Sequence, residues 1–155
     1  MNALIWAALS SMTPFGELRL GIPIAMASGA NPWLAYLVCV AANIIIVPIV
    51  YFFLEFVHHR LLHVKTYQSL FDKLMEKTRK KVKPSLDKYG MLGLAVFVAV
   101  PIPGTGAYAG TLGAWFFGMN KWKAFLSIAI GVIIAGAIML GGVLGGMKLV
   151  GMFYS

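Results

Sequence analysis

Apolar residues dominate the chain from Met1 to Leu54 and again from Met91 to Phe153, and a polar window from Arg60 to Lys88 separates the two stretches. Neither stretch is uniform. Each begins with two short apolar pieces, 1–12 and 18–30 in the first and 90–100 and 106–118 in the second, parted by a run rich in Pro and Gly. Such pieces are too short to cross a bilayer, which takes about 20 residues of helix. Each stretch then closes on one long apolar segment, 32–57 and 122–153, long enough to span, with Pro48 and several glycines permitting kinks. The pattern predicts an all-α integral membrane protein in which each half is a re-entrant helical hairpin followed by one transmembrane helix.

In the window between them, Leu61, Val64, Tyr67, Phe71, Leu74, Thr78 and Val82 recur at near-helical spacing among Lys and Arg. That spacing predicts an amphipathic helix lying on the membrane surface. Lys-Val-Lys-Pro at 81–84 is expected to end it, with a short turn leading to Tyr89 and Gly90.

The two halves repeat. An offset of 89 residues pairs Pro14 with Pro103, Gly21 with Gly110, Ala25 with Ala114, Gly29 with Gly118, Asn31 with Asn120 and Trp33 with Trp122, and Ala35 and Leu37 continue the register with Ala124 and Leu126. Two Trp and two Asn in one register are hard to obtain from hydrophobic composition alone, so the chain divides into homologous units. The first is 1–57 (hairpin 1–31, transmembrane helix 32–57), the second 90–155 (hairpin 90–119, transmembrane helix 122–153), and 58–89 connects them within a single membrane domain. One hairpin plus one crossing is an odd number of crossings, which predicts an inverted repeat.

Composition narrows the class. With 60% hydrophobic and 12% charged residues in 155, a soluble core is excluded. The net charge of +8 does not point to nucleic acid, because nine of the thirteen Lys and Arg fall between Arg60 and Lys88, beside membrane-type sequence. Anionic membrane lipid is the expected partner of that charge. The positive-inside rule places the connector in the cytoplasm of a prokaryotic cell membrane protein, and Lys121 and Lys123 at the exit of the second hairpin agree. The first hairpin then enters from outside, the second from the cytoplasm, and both termini lie outside. Cys39 is alone in an apolar run and reads as packing, with neither disulfide nor metal spacing. No basic residue precedes Arg19, so the first segment is expected to stay in the mature protein. Two complete spans offer a protomer little lateral burial, and a homo-oligomer, most simply a dimer, is expected.

The chemistry concentrates at the two breaks. Glu17 and Arg19 are the only charges before Glu55, in a break made by Pro14, Gly16, Gly21 and Pro23. Burying each in a bilayer costs about 2.5–3.5 kcal/mol on the insertion scale. The second break, with Pro101 and Pro103, supplies Gly104, Thr105, Gly106 and Tyr108. Its Gly-Thr-Gly turn can expose backbone N–H groups at a half-helix N-terminus, a seat for an anion. In the repeat register Glu17 falls on Gly106 and Arg19 on Tyr108, so one tip brings charge and the other brings room and hydrogen bonds. Broken helices meeting at mid-membrane are the recurring site architecture of secondary transporters. Glu17 is the candidate proton carrier and Arg19 the candidate contact for phosphate or carboxylate; the alternative is that the pair neutralise each other and hold the hairpin together.

Other residues add less. Asn43, polar within the first span, is a candidate cavity-lining or scaffold group. His58, His59 and His63 cluster at the membrane edge without a carboxylate or cysteine to complete a metal site, so no metal or cofactor is expected. Glu55 either pairs with His58 or His59 or faces water. The glycines of the second span, Gly131 to Gly146, read as close-packing positions.

Gly-Glu-Leu-Arg-Leu-Gly-Ile-Pro at 16–23 and Pro-Ile-Pro-Gly-Thr-Gly-Ala-Tyr at 101–108 resemble the small multidrug export family of prokaryotic membrane proteins over essentially the whole chain. The hairpin plan is also similar to the wider DedA-type, or VTT-domain, superfamily. That resemblance implies re-entrant hairpins, proton coupling through acids, and movement of lipid-linked phosphates or scrambling of lipids. Glu17 would match an acidic hairpin position and Arg19 an arginine, while the second hairpin departs from the pattern in having neither.

Together these readings predict a small proton-coupled secondary transporter for an anionic or amphipathic substrate such as a phosphate-headed, polyprenyl-type lipid, with protons and membrane lipid as its partners. The alternatives are a multidrug or small-molecule exporter, or an uncoupled scramblase or channel. An enzyme is not expected, because the membrane portion has one acid and no His to build a nucleophile with its base.

Overall fold

The computed structural model describes residues 2–14, 16–58, 63, 65–102 and 105–153, and all regular structure among them is helical. Six α-helices follow one another: α1 (Asn2–Ser11), α2 (Glu17–Ala27), α3 (Pro32–Phe52), α4 (Lys65–Ala99), α5 (Ala107–Phe116) and α6 (Lys121–Phe153). A wider π turn, Phe53–Val57, extends α3. Two stretches, Pro32–Phe56 and Lys121–Lys148, are long and apolar enough to cross a bilayer. Large apolar side chains such as Trp33, Leu37, Ile45, Trp122, Ile130 and Ile138 stand exposed along them. A surface of that kind belongs in hydrocarbon, and the chain is a membrane protein.

α1 and α2 pack against each other and against α3, and α4, α5 and α6 form the corresponding group in the second half. The corners leading into the long helices are built alike. At the end of α2, Ala30 N–H reaches Ala25 O and Gly29 N–H reaches Met26 O; at the end of α5, Met119 N–H reaches Ala114 O and Gly118 N–H reaches Trp115 O. Both glycines are left-handed, with φ of 77° and 64°, as this type of helix stop requires. Asn31 then accepts from the N–H groups of Trp33 and Leu34, and Asn120 from those of Trp122 and Lys123. The Asn-x-Trp identity in the sequence is thus a helix N-cap used twice.

Equivalent glycines also let helices touch. A Cβ on Gly21 would meet Cys39 Sγ at 3.0 Å, and one on Gly110 would meet Ile128 Cγ1 at 3.4 Å and Val98 Cγ2 at 2.6 Å. Positions 39 and 128 are themselves one repeat apart. The single large core runs through both halves, with Ile22, Val47, Val98 and Ile128 fully buried.

Three expectations from the sequence change. Gly21 and Pro23 do not break the chain but lie inside α2. Burial of Ile22 and Ala25 on either side of Pro23 holds the helix together despite the missing N–H. Pro84 likewise stays inside α4, where it, Lys80 and Lys83 are exposed and the freed carbonyl of Lys80 can be solvated. The bend comes at Gly90 instead, with φ 54° and ψ −125°, and folds the 91–99 limb back so closely that a Cβ on Gly93 would meet the carbonyl carbon of Ser85 at 2.5 Å. Finally, the connector limb packs on protein. Met75 and Val82 are buried, Met75 against Leu54 and Leu112, and Val82 against Gly113. On its outer face Glu76 pairs with Lys80 at 2.7 Å, which holds the Glu76 carboxyl below its ordinary range.

Candidate functional site

The site lies where the chain leaves helix twice. Between α1 and α2 the Thr13 hydroxyl donates to Ser10 O (2.8 Å) and accepts from Gly16 N–H (3.0 Å). Between α4 and α5 the Thr105 hydroxyl lies 2.7 Å from both Val100 O and Ile102 O. A threonine side chain thus replaces helical bonding in each break. Pro14, Gly16 and Pro101 belong to these breaks, whereas Pro103 and Gly104 lie outside the described residues.

The breaks meet. Glu17 opens α2, is 7% exposed and has a left-handed φ of 44°. Its Oε1 accepts from the N–H of Tyr108 at 3.3 Å, the second residue of α5. This is the bond an N-cap side chain makes, but Gly106, the N-cap residue here, has no side chain to make it. A Cβ on Gly106 would collide with the Glu17 carboxylate. The carboxylate therefore sits at the positive N-terminal ends of two helices, its own α2 and α5.

Arg19 and Tyr108, equivalent in the repeat, reach across in opposite directions. Arg19 Nη2 donates to Thr105 O (3.1 Å) and Thr105 Oγ1 (3.0 Å). Tyr108 donates its hydroxyl to the carbonyl of Met12. The ion pairs Glu76–Lys80 and Glu55–Lys121 lie elsewhere, and among the described residues Glu17 and Arg19 are not within ion-pair distance of each other. Each is instead bound at the other break, Glu17 to Tyr108 N–H and Arg19 to Thr105.

Beneath the tips is a void of about 10 Å³, bordered by Glu17, Arg19, Asn43 and Gly106 and closed by Val132 and Met139 of α6. It has room for about one water molecule. Asn43 is 1% exposed and its Oδ1 has no hydrogen-bond partner. A buried acceptor left unbonded is costly, and Asn43 borders the same void as Glu17. The α6 residues carry no sequence signature that would have assigned them to the site; they arrive by packing alone.

The remaining candidates lie elsewhere. Glu55 is exposed, and Lys121 Nζ lies 2.7 Å from both of its oxygens, tying the end of α3 to the start of α6. His58 is buried, with Nδ1 3.0 Å from the Tyr67 hydroxyl and its ring against Phe71 and Trp115. Burial pushes the Tyr67 hydroxyl above its ordinary range. His59 lies outside the described residues.

No curated protein and no solved structure matches the chain. A family model described as "Putative small multi-drug export protein" matches residues 17–138, which begin at Glu17 and include the second break and most of α6. The match takes in most of the sequence and every described residue that borders the void except Met139, and the chain belongs to this small multi-drug export family.

Proposed function

We propose that the chain is a proton-coupled secondary exporter of amphipathic small molecules, built as two inverted hairpin-plus-helix repeats, with Glu17 as the group on which proton and substrate compete. The carrying observation is the Glu17 carboxylate capping the opposite hairpin's helix at Tyr108 N–H. While charged, Glu17 is attracted to both helix N-termini and holds the tips together. A proton removes that attraction, loosens α5 from α2 and weakens the hold on the substrate. Arg19, bound to the backbone and hydroxyl of Thr105, is the clamp that keeps the breaks in register.

Membership of an export family supports transport over catalysis and favours small molecules over a phosphate-headed lipid. The Glu55–Lys121 contact is in keeping with a cytoplasmic position shared by the end of α3 and the exit of the second hairpin. The test is export of a lipophilic dye from proteoliposomes carrying a pH gradient. Export should follow the gradient in the wild type and lose that dependence in Glu17→Gln. Gradient-independent flux in the wild type would identify an uncoupled channel or scramblase.

A further inference from the structure

A void that admits one water cannot hold a drug-sized molecule, so the bulk of a substrate must sit elsewhere. On the connector side of the tips lies a groove of about 530 Å³, within the range of about 300–1,000 Å³ typical of small-molecule sites. Ile49 of α3, Phe53 of the π turn, and Leu70 and Leu74 of the connector limb form apolar walls, and all four are exposed. Pro14 of the first break and Tyr108, at the start of the helix after the second, also line it. Tyr108 therefore belongs to both places: its backbone N–H holds Glu17, its hydroxyl holds Met12, and its residue walls the groove.

We infer that this groove takes the apolar body of a lipophilic substrate from the membrane leaflet on the connector side, with Tyr108 as the gate between it and Glu17. The inference rests on the export reading given above and adds where the substrate lies. Continuity with the tips is what distinguishes the groove from an ordinary lipid-facing crevice. A second crevice of about 440 Å³, between Pro48 and Phe52 of α3 and Trp122 and Phe125 of α6, touches neither break and serves as its control.

The experiment uses the full chain in nanodiscs and an uncharged dye that fluoresces in apolar surroundings. Ile49→Trp and Leu70→Trp fill the groove at exposed positions, and Phe52→Trp intrudes on the control crevice. Saturable binding near one dye per protomer is expected in the wild type and Phe52→Trp, weakened tenfold or more in both groove variants. Binding unchanged in the groove variants, or only the non-saturable partition seen with empty nanodiscs, would overturn the inference and leave the groove to bulk lipid. Dye export with a pH gradient separates the two readings. Proton-driven export that survives both groove variants sinks the groove and spares Glu17. Gradient-independent export by a protein whose dye binding does depend on Ile49 and Leu70 sinks the coupling and spares the groove.

Discussion

The Glu17 carboxylate occupies the space that a side chain on Gly106 would need, although the two positions are equivalents one repeat apart. An acid stands at one position, and its receptacle stands 89 residues further on. Gly106 also has a φ of 132°, where a side chain adds strain of about 1–3 kcal/mol. Gly106→Ala should therefore lower thermal stability in detergent. Combining it with Glu17→Ala should restore the part due to collision, and strictly additive losses would show that the two do not meet.

Arg19→Ala and Thr105→Val remove the two ends of one contact. Hydrogen bonds to a charged group are worth about 1.5–3 kcal/mol, and residues in contact couple by about 0.5–3 kcal/mol. A double-mutant cycle on unfolding should give a coupling in that range. Coupling near zero would mean that Arg19 does not bond the Thr105 hydroxyl.

Glycines in the two halves of α6 should respond with opposite sign. A Cβ on Gly131 would meet Ala95 O at 2.6 Å, while Gly142 and Gly145 face open space. Gly131→Ala should cost about 1–3 kcal/mol by overpacking. Gly142→Ala and Gly145→Ala should stabilise the monomer by about 0.5–1 kcal/mol through helix propensity. If the last two instead weaken self-association seen by crosslinking, they mark the interface of the expected dimer.

Asn31→Ala and Asn120→Ala should each cost about 1 kcal/mol, the usual value of an N-cap, and by similar amounts, since the bonds are the same at both corners. Unequal losses measured by chemical unfolding would mean that the corners share sequence without sharing their energetics.

Local features of the chain were legible where the cause is local. The paired Asn-x-Trp corners, the short helices and the long apolar ones follow from caps, Pro and Gly, and run length. Glu17, Arg19, Thr105 and Tyr108 could be singled out because charge and hydroxyls are conspicuous in apolar sequence. Their partners could not. That Arg19 would bind Thr105 rather than Glu17, or that Gly106 would make room for an acid 89 residues away, depends on how the two breaks meet. Pro23 and Pro84 misled for the same reason, because packing and solvation outside the helix decide whether a proline breaks it. Lys121 reaching Glu55 likewise required the ends of α3 and α6 to be brought together.

The most direct measurement is proton release on substrate binding. Adding a saturating lipophilic substrate to purified protein in weakly buffered detergent, near the pH of half-maximal export, should release a fraction of a proton per protomer. Glu17→Gln should bind the same substrate and release none. Release that persists in Glu17→Gln, or wild-type binding with no proton released at any pH over the working range, would contradict the claim that proton and substrate compete at Glu17.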